Sequence, residues 1–249
     1  MMDLTLITSG TVLLLIAAVI HFMENQKPLE AIKRLSNIKF DITVIVISTM
    51  FVFFIMDYLL NETIVSNIHM VVGLGNSVGS MPPWLRLILA LIIGDFGYYI
   101  FHRIMHLKPM WNTHRFHHSI KDIYWFSGLR TSFLNSFIIR IPYLVGFQMF
   151  EVPYRELIIA SILLILVNFW IHGNLKLKMD SVLSNIIITP RFHRLHHVND
   201  ERVAGNNFGN IFSVWDQLFG TAIFDESFDR SEKGEVVEWK EVPRQIIGF

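Results

Sequence analysis

The chain has no cysteine. This excludes disulfides, thiolate nucleophiles, iron–sulfur ligation and cysteine-based zinc sites, leaving nitrogen and oxygen as the available metal donors. Charge is also scarce: Lys, Arg, Asp and Glu make up 17% of the 249 residues, against roughly 25% in soluble domains. The 21 basic and 21 acidic residues cancel, so nothing favours nucleic acid as a partner. No GxGxxG opens a βαβ unit, and no HExxH supplies a zinc hydrolase with its glutamate. In their place stand 52% hydrophobic residues and a mean hydropathy of +0.45. That balance points to a membrane protein.

Five apolar runs carry this hydropathy. Leu4–Met23 lacks any charged residue and is long enough to span a bilayer. It is preceded by Asp3 and has no small-residue cleavage site, so a retained anchor is expected. Ile42–Leu60 is broken only by Asp57, and Trp84–Phe101 carries Asp95. Ser132–Phe150 contains Arg140 and Pro142, and a polar turn separates it from Leu157–Ile171. These last two runs form either full crossings or a re-entrant hairpin. The expected fold is all-α: a polytopic integral membrane helical protein with about four to five spans or hairpins. Lys and Arg fill 24–41, 102–130 and 173–249 but are absent from 61–83, which places the three basic regions in the cytoplasm. Three domains are expected. Residues 1–83 form the membrane anchor with a non-cytoplasmic loop, 84–224 an oxygenase domain, and 225–249 a polar, solvated tail.

The histidines are crowded. Eight of eleven sit in three five-residue windows: His102 and His106; His114, His117 and His118; His193, His196 and His197. An even scatter would place fewer than one there. Positions i, i+3 and i+4 share one helix face, so each window can present its imidazoles together. Imidazole is the commonest side-chain metal ligand and suits iron, copper and zinc. Eight are too many for one ion, and two ions with about four each fit the count. All three windows fall in regions expected to face the cytoplasm. Asp95 lies seven residues before His102, two turns along the same face, where a carboxylate can fix a ligand's tautomer. Arg103, Arg115, Arg191 and Arg194 flank the windows, either as partners of carboxylates or lipid phosphate or as ordinary positive-inside residues. Trp111, Tyr124, Trp125 and Phe126 are candidates for a substrate entry or an interfacial belt.

HRIMH, HRFHH and HRLHH in this order on a multispan chain resemble the fatty acid hydroxylase/sterol desaturase superfamily of membrane di-iron oxygenases. DFGYYIFHR, NFWIHGN, TPRFHRLHH and WDQLFGT extend the resemblance over about residues 84–224. These flanking phrases are similar to the sterol desaturase-like branch that includes alkylglycerol monooxygenase. The resemblance implies two iron ions bound by the boxed histidines, and dioxygen and an apolar lipid in the membrane as substrates. It also singles out His172 as a ligand at the end of a span. Some relatives carry HxxxH there, whereas this chain has Lys176 four residues on, leaving Asn174 or water for a further place. Since no cytochrome or flavin domain is expected in the remaining length, a separate electron-transfer protein is implied as external donor.

Hydroxylation and desaturation share the removal of a hydrogen atom, and the lipid class stays open. Three other readings fit less well. A zinc hydrolase lacks HExxH. A bis-histidine haem carrier needs its histidines within the membrane. A metal transporter needs ionisable residues along its spans, and Asp57, Asp95 and Arg140 are too few.

Overall fold

The computed structural model describes residues 4–32, 38, 41–47, 50, 62–238 and 240–249. Among them there is no β-strand, only isolated bridges pairing Ile187 with Phe212 and Val198 with Lys233. The architecture is helical. The principal helices are α1 (Leu4–Gln26), α2 (Glu62–Val72), α3 (Pro83–Met105), α4 (Trp111–Arg115) and α5 (Phe133–Ile138). They continue as α6 (Ile141–Met149), α7 (Tyr154–Ile171), α8 (Pro190–His196), α9 (Val214–Leu218) and α10 (Val242–Ile247). The apolar run 42–60 with Asp57 lies mostly outside the described residues, although 42–47 are helical.

Among the described residues, α3 and α7 are long and apolar enough to cross a membrane. Only 28% and 17% of their apolar windows are buried within the protein, whereas a soluble core helix would be largely covered. Apolar surface left open to this extent suits lipid contact. Pro83 starts α3 at a first-turn position, where its missing N–H costs nothing. The helix ends at Met105, with His106 as its cap and Pro109 just beyond.

Ser132–Phe150 is broken into two pieces. Ser132 caps α5 by accepting from Asn135 N, and the chain restarts as α6 with Pro142 in its first turn. At 1.5 Å per residue, pieces of six and nine residues reach about 9 and 14 Å, so neither alone crosses a bilayer core of roughly 30 Å. Close approach holds α6 to α3. A β-carbon on Gly94 would lie 2.5 Å from the Tyr143 ring, and one on Gly146 would lie 2.5 Å from Ala90 O. Small residues of this kind let helices approach where no hydrophobic force drives them together. The Tyr143 hydroxyl donates to Asp95 across the same pair over 2.9 Å.

The chain forms two compact units. The first comprises residues 1–37, 120–129 and 161–234; the second comprises 38–119, 130–160 and 235–249. In the first, Ile171, Ile188 and Phe192 form one core, and Leu195, Val198, Val203 and Phe228 another. Fully burying such a side chain contributes about 1.5–3 kcal/mol. In the second, Val78, Ala90, Phe150 and Val152 pack together.

The charged C-terminal stretch is not the solvated appendage its composition suggests. Phe228, Lys233 and Gln245 are buried. Lys233 Nζ donates to Glu30 over 2.6 Å, and the backbone N–H of Glu235 donates to His118 O over 2.7 Å. Composition fails here because the charges are matched within the fold.

Candidate metal centres

In the second unit, the last turn of α3 sets His102 and His106 one turn apart, with ring centroids 5.3 Å apart. The next window behaves differently from its spacing. Helix α4 carries His114 and stops at Arg115, and His117–Ser119 turn into a 3-10 helix. This change of pitch brings His118 beside His114 and His106, at 4.8 Å from each. The ligand nitrogens of His102, His106, His114 and His118 all lie within 4.8 Å of one another.

In the first unit, Thr189 caps α8 by accepting from Phe192 N, and Pro190 begins the helix at a position where proline is tolerated. His193 and His196 lie on α8, with His197 at its cap. His172 follows directly on α7, and its Nε2 is 3.1 Å from His193 Nε2. His197 Nε2 is 3.2 Å from the same atom. His172, His193 and His197 have their ligand nitrogens within 4.8 Å of one another.

The tautomers are fixed by acceptors that cannot donate. His117 Nδ1 is 3.0 Å from Arg130 O, His172 Nδ1 is 2.9 Å from Asn168 O, and His196 Nδ1 is 2.7 Å from Asn206 O. A carbonyl only accepts, so each Nδ1 carries the proton and each Nε2 keeps a lone pair. His114 reaches the same state through the side-chain oxygen of Asn135, 2.8 Å from its Nδ1. Its own Nε2 faces His102 Nε2 at 2.9 Å. A hydrogen bond to one ring nitrogen that orients the other is the usual support of a metal-bound imidazole. Burial pushes the His117 pKa down to about 4, outweighing the carbonyl bond that raises it, while the Arg130 charge lowers it further. His117 is therefore neutral at pH 7. Both clusters are built from imidazole nitrogens without carboxylate or thiolate, a donor set that suits iron, copper or zinc.

Asp95 is fully buried and accepts from Tyr143, while Tyr98 packs edge-on against His102 with ring centroids 5.4 Å apart. Asn174 engages the N-terminal segment. Its Oδ1 accepts from the backbone N–H of Leu29 and Glu30, and its Nδ2 donates to Glu30 O. Three of the flanking arginines pair with carboxylates: Arg115 with Glu235, Arg191 with Asp229 and Arg194 with Glu30. Arg103 donates to the Tyr99 hydroxyl. Trp111 packs 5.1 Å from both His106 and His118, and Trp125 packs 4.9 Å from Phe169. His21 contacts Trp125, and His69 lies near Glu151.

Sequence reasoning misses Asn135, Arg130, Asn168 and Asn206, which orient four of the imidazoles. Three of them act through backbone carbonyls, which carry no sequence signal. The loop NNFGN packs beside one of the boxed histidines, with Phe208 5.8 Å from the His196 ring. Asp216 holds that loop by accepting from Phe208 N, Gly209 N and Thr221 Oγ1.

A family model described as fatty acid hydroxylase matches residues 87–221, more than half of the chain and all nine of these histidines. The chain belongs to the fatty acid hydroxylase family. It is 32% identical over 142 residues to alkylglycerol monooxygenase of Xenopus tropicalis, covering 57% of this chain and 31% of that one. With ornithine lipid hydroxylase OlsE of Rhizobium tropici it shares 29% over 146 residues, 56% of this chain and 42% of the other. Methylsterol monooxygenase 1 of Gallus gallus is 23% identical over 166 residues, 64% and 55% of the respective chains. The chain thus matches well under two thirds of each relative's length. No solved structure matches it.

Proposed function

We propose that this fatty acid hydroxylase family member is a membrane-bound di-iron oxygenase that inserts one atom of dioxygen into a C–H bond of a lipid. The observation that carries this reading is the pair of buried imidazole clusters whose outer nitrogens are locked to carbonyl and amide oxygens. The nine proposed ligands are His102, His106, His114, His117, His118, His172, His193, His196 and His197. Iron held by them would supply dioxygen activation and hydrogen abstraction from an unactivated carbon.

The protein's part is orientation and shielding. Arg130, Asn168 and Asn206 carbonyls and the Asn135 amide hold four Nδ1 atoms as donors and so leave four Nε2 lone pairs for metal. Burial of eight of the nine rings excludes bulk water, against which a reactive oxidant needs protection. Asp95 is proposed to support the first cluster from α3, and Asn174 the second by fixing the chain two residues past His172.

Insertion of one oxygen atom releases the other as water and consumes two electrons and two protons. A separate electron-transfer protein is proposed to deliver the electrons on the cytoplasmic face, and the excess of Lys and Arg around the histidines supports that side for them. Residues 84–224, which hold the nine histidines, form the proposed oxygenase domain. It is preceded by the anchor segment 1–83 and followed by the segment 225–249. An apolar lipid suits the membrane location, and the named relatives are monooxygenases and a hydroxylase of lipids. Those names favour hydroxylation over a desaturase outcome of the same abstraction.

Reaction under oxygen-18 gas in membranes containing the protein and a reductase system tests the reading. A lipid alcohol carrying the heavy atom is expected. A new double bond, with all label in water, would establish desaturation instead.

A further inference from the structure

We infer that Gly128 is a positioning residue for His172. The inference rests on the reading of His172 as a metal ligand. A β-carbon built on Gly128 would lie 2.3 Å from both Cγ and Nδ1 of the His172 ring, and 2.9 Å from Asn168 Oδ1. The φ of Gly128 is not positive, so the backbone there accepts any residue. It is the space that demands glycine.

The ring cannot retreat to make room. Its Nδ1–H is held by Asn168 O at 2.9 Å, and its Nε2 sits 3.1 Å from His193 Nε2. Gly128 cannot retreat either. It lies in the 3-10 turn Ser127–Leu129, three residues after Trp125, whose backbone N–H donates to Glu24 Oε1 over 2.9 Å. The same oxygen accepts from Asn174 N over 2.6 Å, two residues past His172. One fully buried carboxylate at the end of α1 therefore ties together the two stretches that bring Gly128 against His172. The N-terminal helix, expected to be only an anchor, contributes to the geometry of a ligand.

A methyl group at 128 acts chiefly through the His172 ring, because the other close atom, Asn168 Oδ1, is the end of a side chain that can turn aside. It drives His172 Nε2 away from His193.

The test is a double-mutant cycle on the full chain in detergent, read by iron titration and by the unfolding midpoint of the metal-free protein. Gly128→Ala should weaken binding of the affected iron roughly tenfold to a hundredfold, as His172→Ala does. The double variant should be no worse than His172→Ala alone, because removing the imidazole makes room for the methyl. If Gly128→Ala alone does not fold, recovery of folding in the double variant supports the same conclusion. Glu24→Gln, which keeps an acceptor oxygen, should retain iron, and Glu24→Leu should lose it. Parental affinity in Gly128→Ala, or additive losses in the double variant, would overturn the positioning role while leaving the di-iron reading intact. A parent protein that binds no iron but still shows non-additive unfolding midpoints would overturn the di-iron reading and leave the steric relationship standing.

Discussion

The Nδ1–H of His114 donates to the side-chain oxygen of Asn135 over 2.8 Å. Asn135 is itself held on both sides: its N–H donates to Ser132 Oγ over 3.0 Å, and its amide nitrogen to Thr131 Oγ1. Ser132 in turn donates to Thr113 O, next to His114. The start of α5 is thus built around one imidazole. Asn135→Leu keeps the volume but removes the acceptor, and should weaken iron binding about tenfold to a hundredfold. Asn135→Asp keeps the acceptor and should bind near the parental level. Metal titration of the two variants distinguishes them, and equal affinities would argue against the orienting role.

Arg130 orients His117 through its carbonyl, and its guanidinium is buried against Asp41, with Nε 2.7 Å from Oδ1. Removing one partner of such a pair leaves an uncompensated charge and costs about 3–5 kcal/mol. Asp41→Ala should therefore destabilise by that amount. Asp41→Leu combined with Arg130→Met should cost less than Asp41→Ala. Denaturant unfolding in detergent checks both, and a loss below about 1 kcal/mol for Asp41→Ala would show that the charge is relieved by water.

The orientation proposed for the membrane is open to a direct labelling test, because the chain has no cysteine to give background. Ser77, Lys108 and Glu232 are exposed positions for single introduced cysteines. In intact cells an impermeant thiol reagent should label position 77 and spare 108 and 232. Labelling of 108 and 232 with sparing of 77 would invert the topology. A split between 108 and 232 would place the boxes on opposite faces.

The two HxxHH windows show how far such a sequence can be read. Both announce a cluster of imidazoles, and a threonine cap followed by proline at 189–190 marks the helix start that carries His193 and His196. Identical spacing does not mean identical backbone, however. His193–His197 follow one helix to its cap, whereas His114–His118 leave α4 for a 3-10 turn. Sequence spacing reports which residues can meet, not the pitch that tertiary packing imposes. The apolar runs at 84–101 and 157–171 emerge as α3 and α7, because a long uncharged stretch has few alternatives. The run at 132–150 does not stay continuous; the break falls at Ile139–Arg140, just before Pro142. The supporting groups were illegible for another reason. Arg130, Asn168 and Asn206 act through carbonyls that every residue possesses, and Gly128 acts by having no side chain.

Iron stoichiometry addresses the central claim most directly. Purified protein should hold two irons per chain. His114→Ala or His118→Ala in one cluster, and His172→Ala or His193→Ala in the other, should each lower that number while the remaining cluster keeps its metal. A single zinc in the parent protein, or full iron retention in all four variants, would contradict the account.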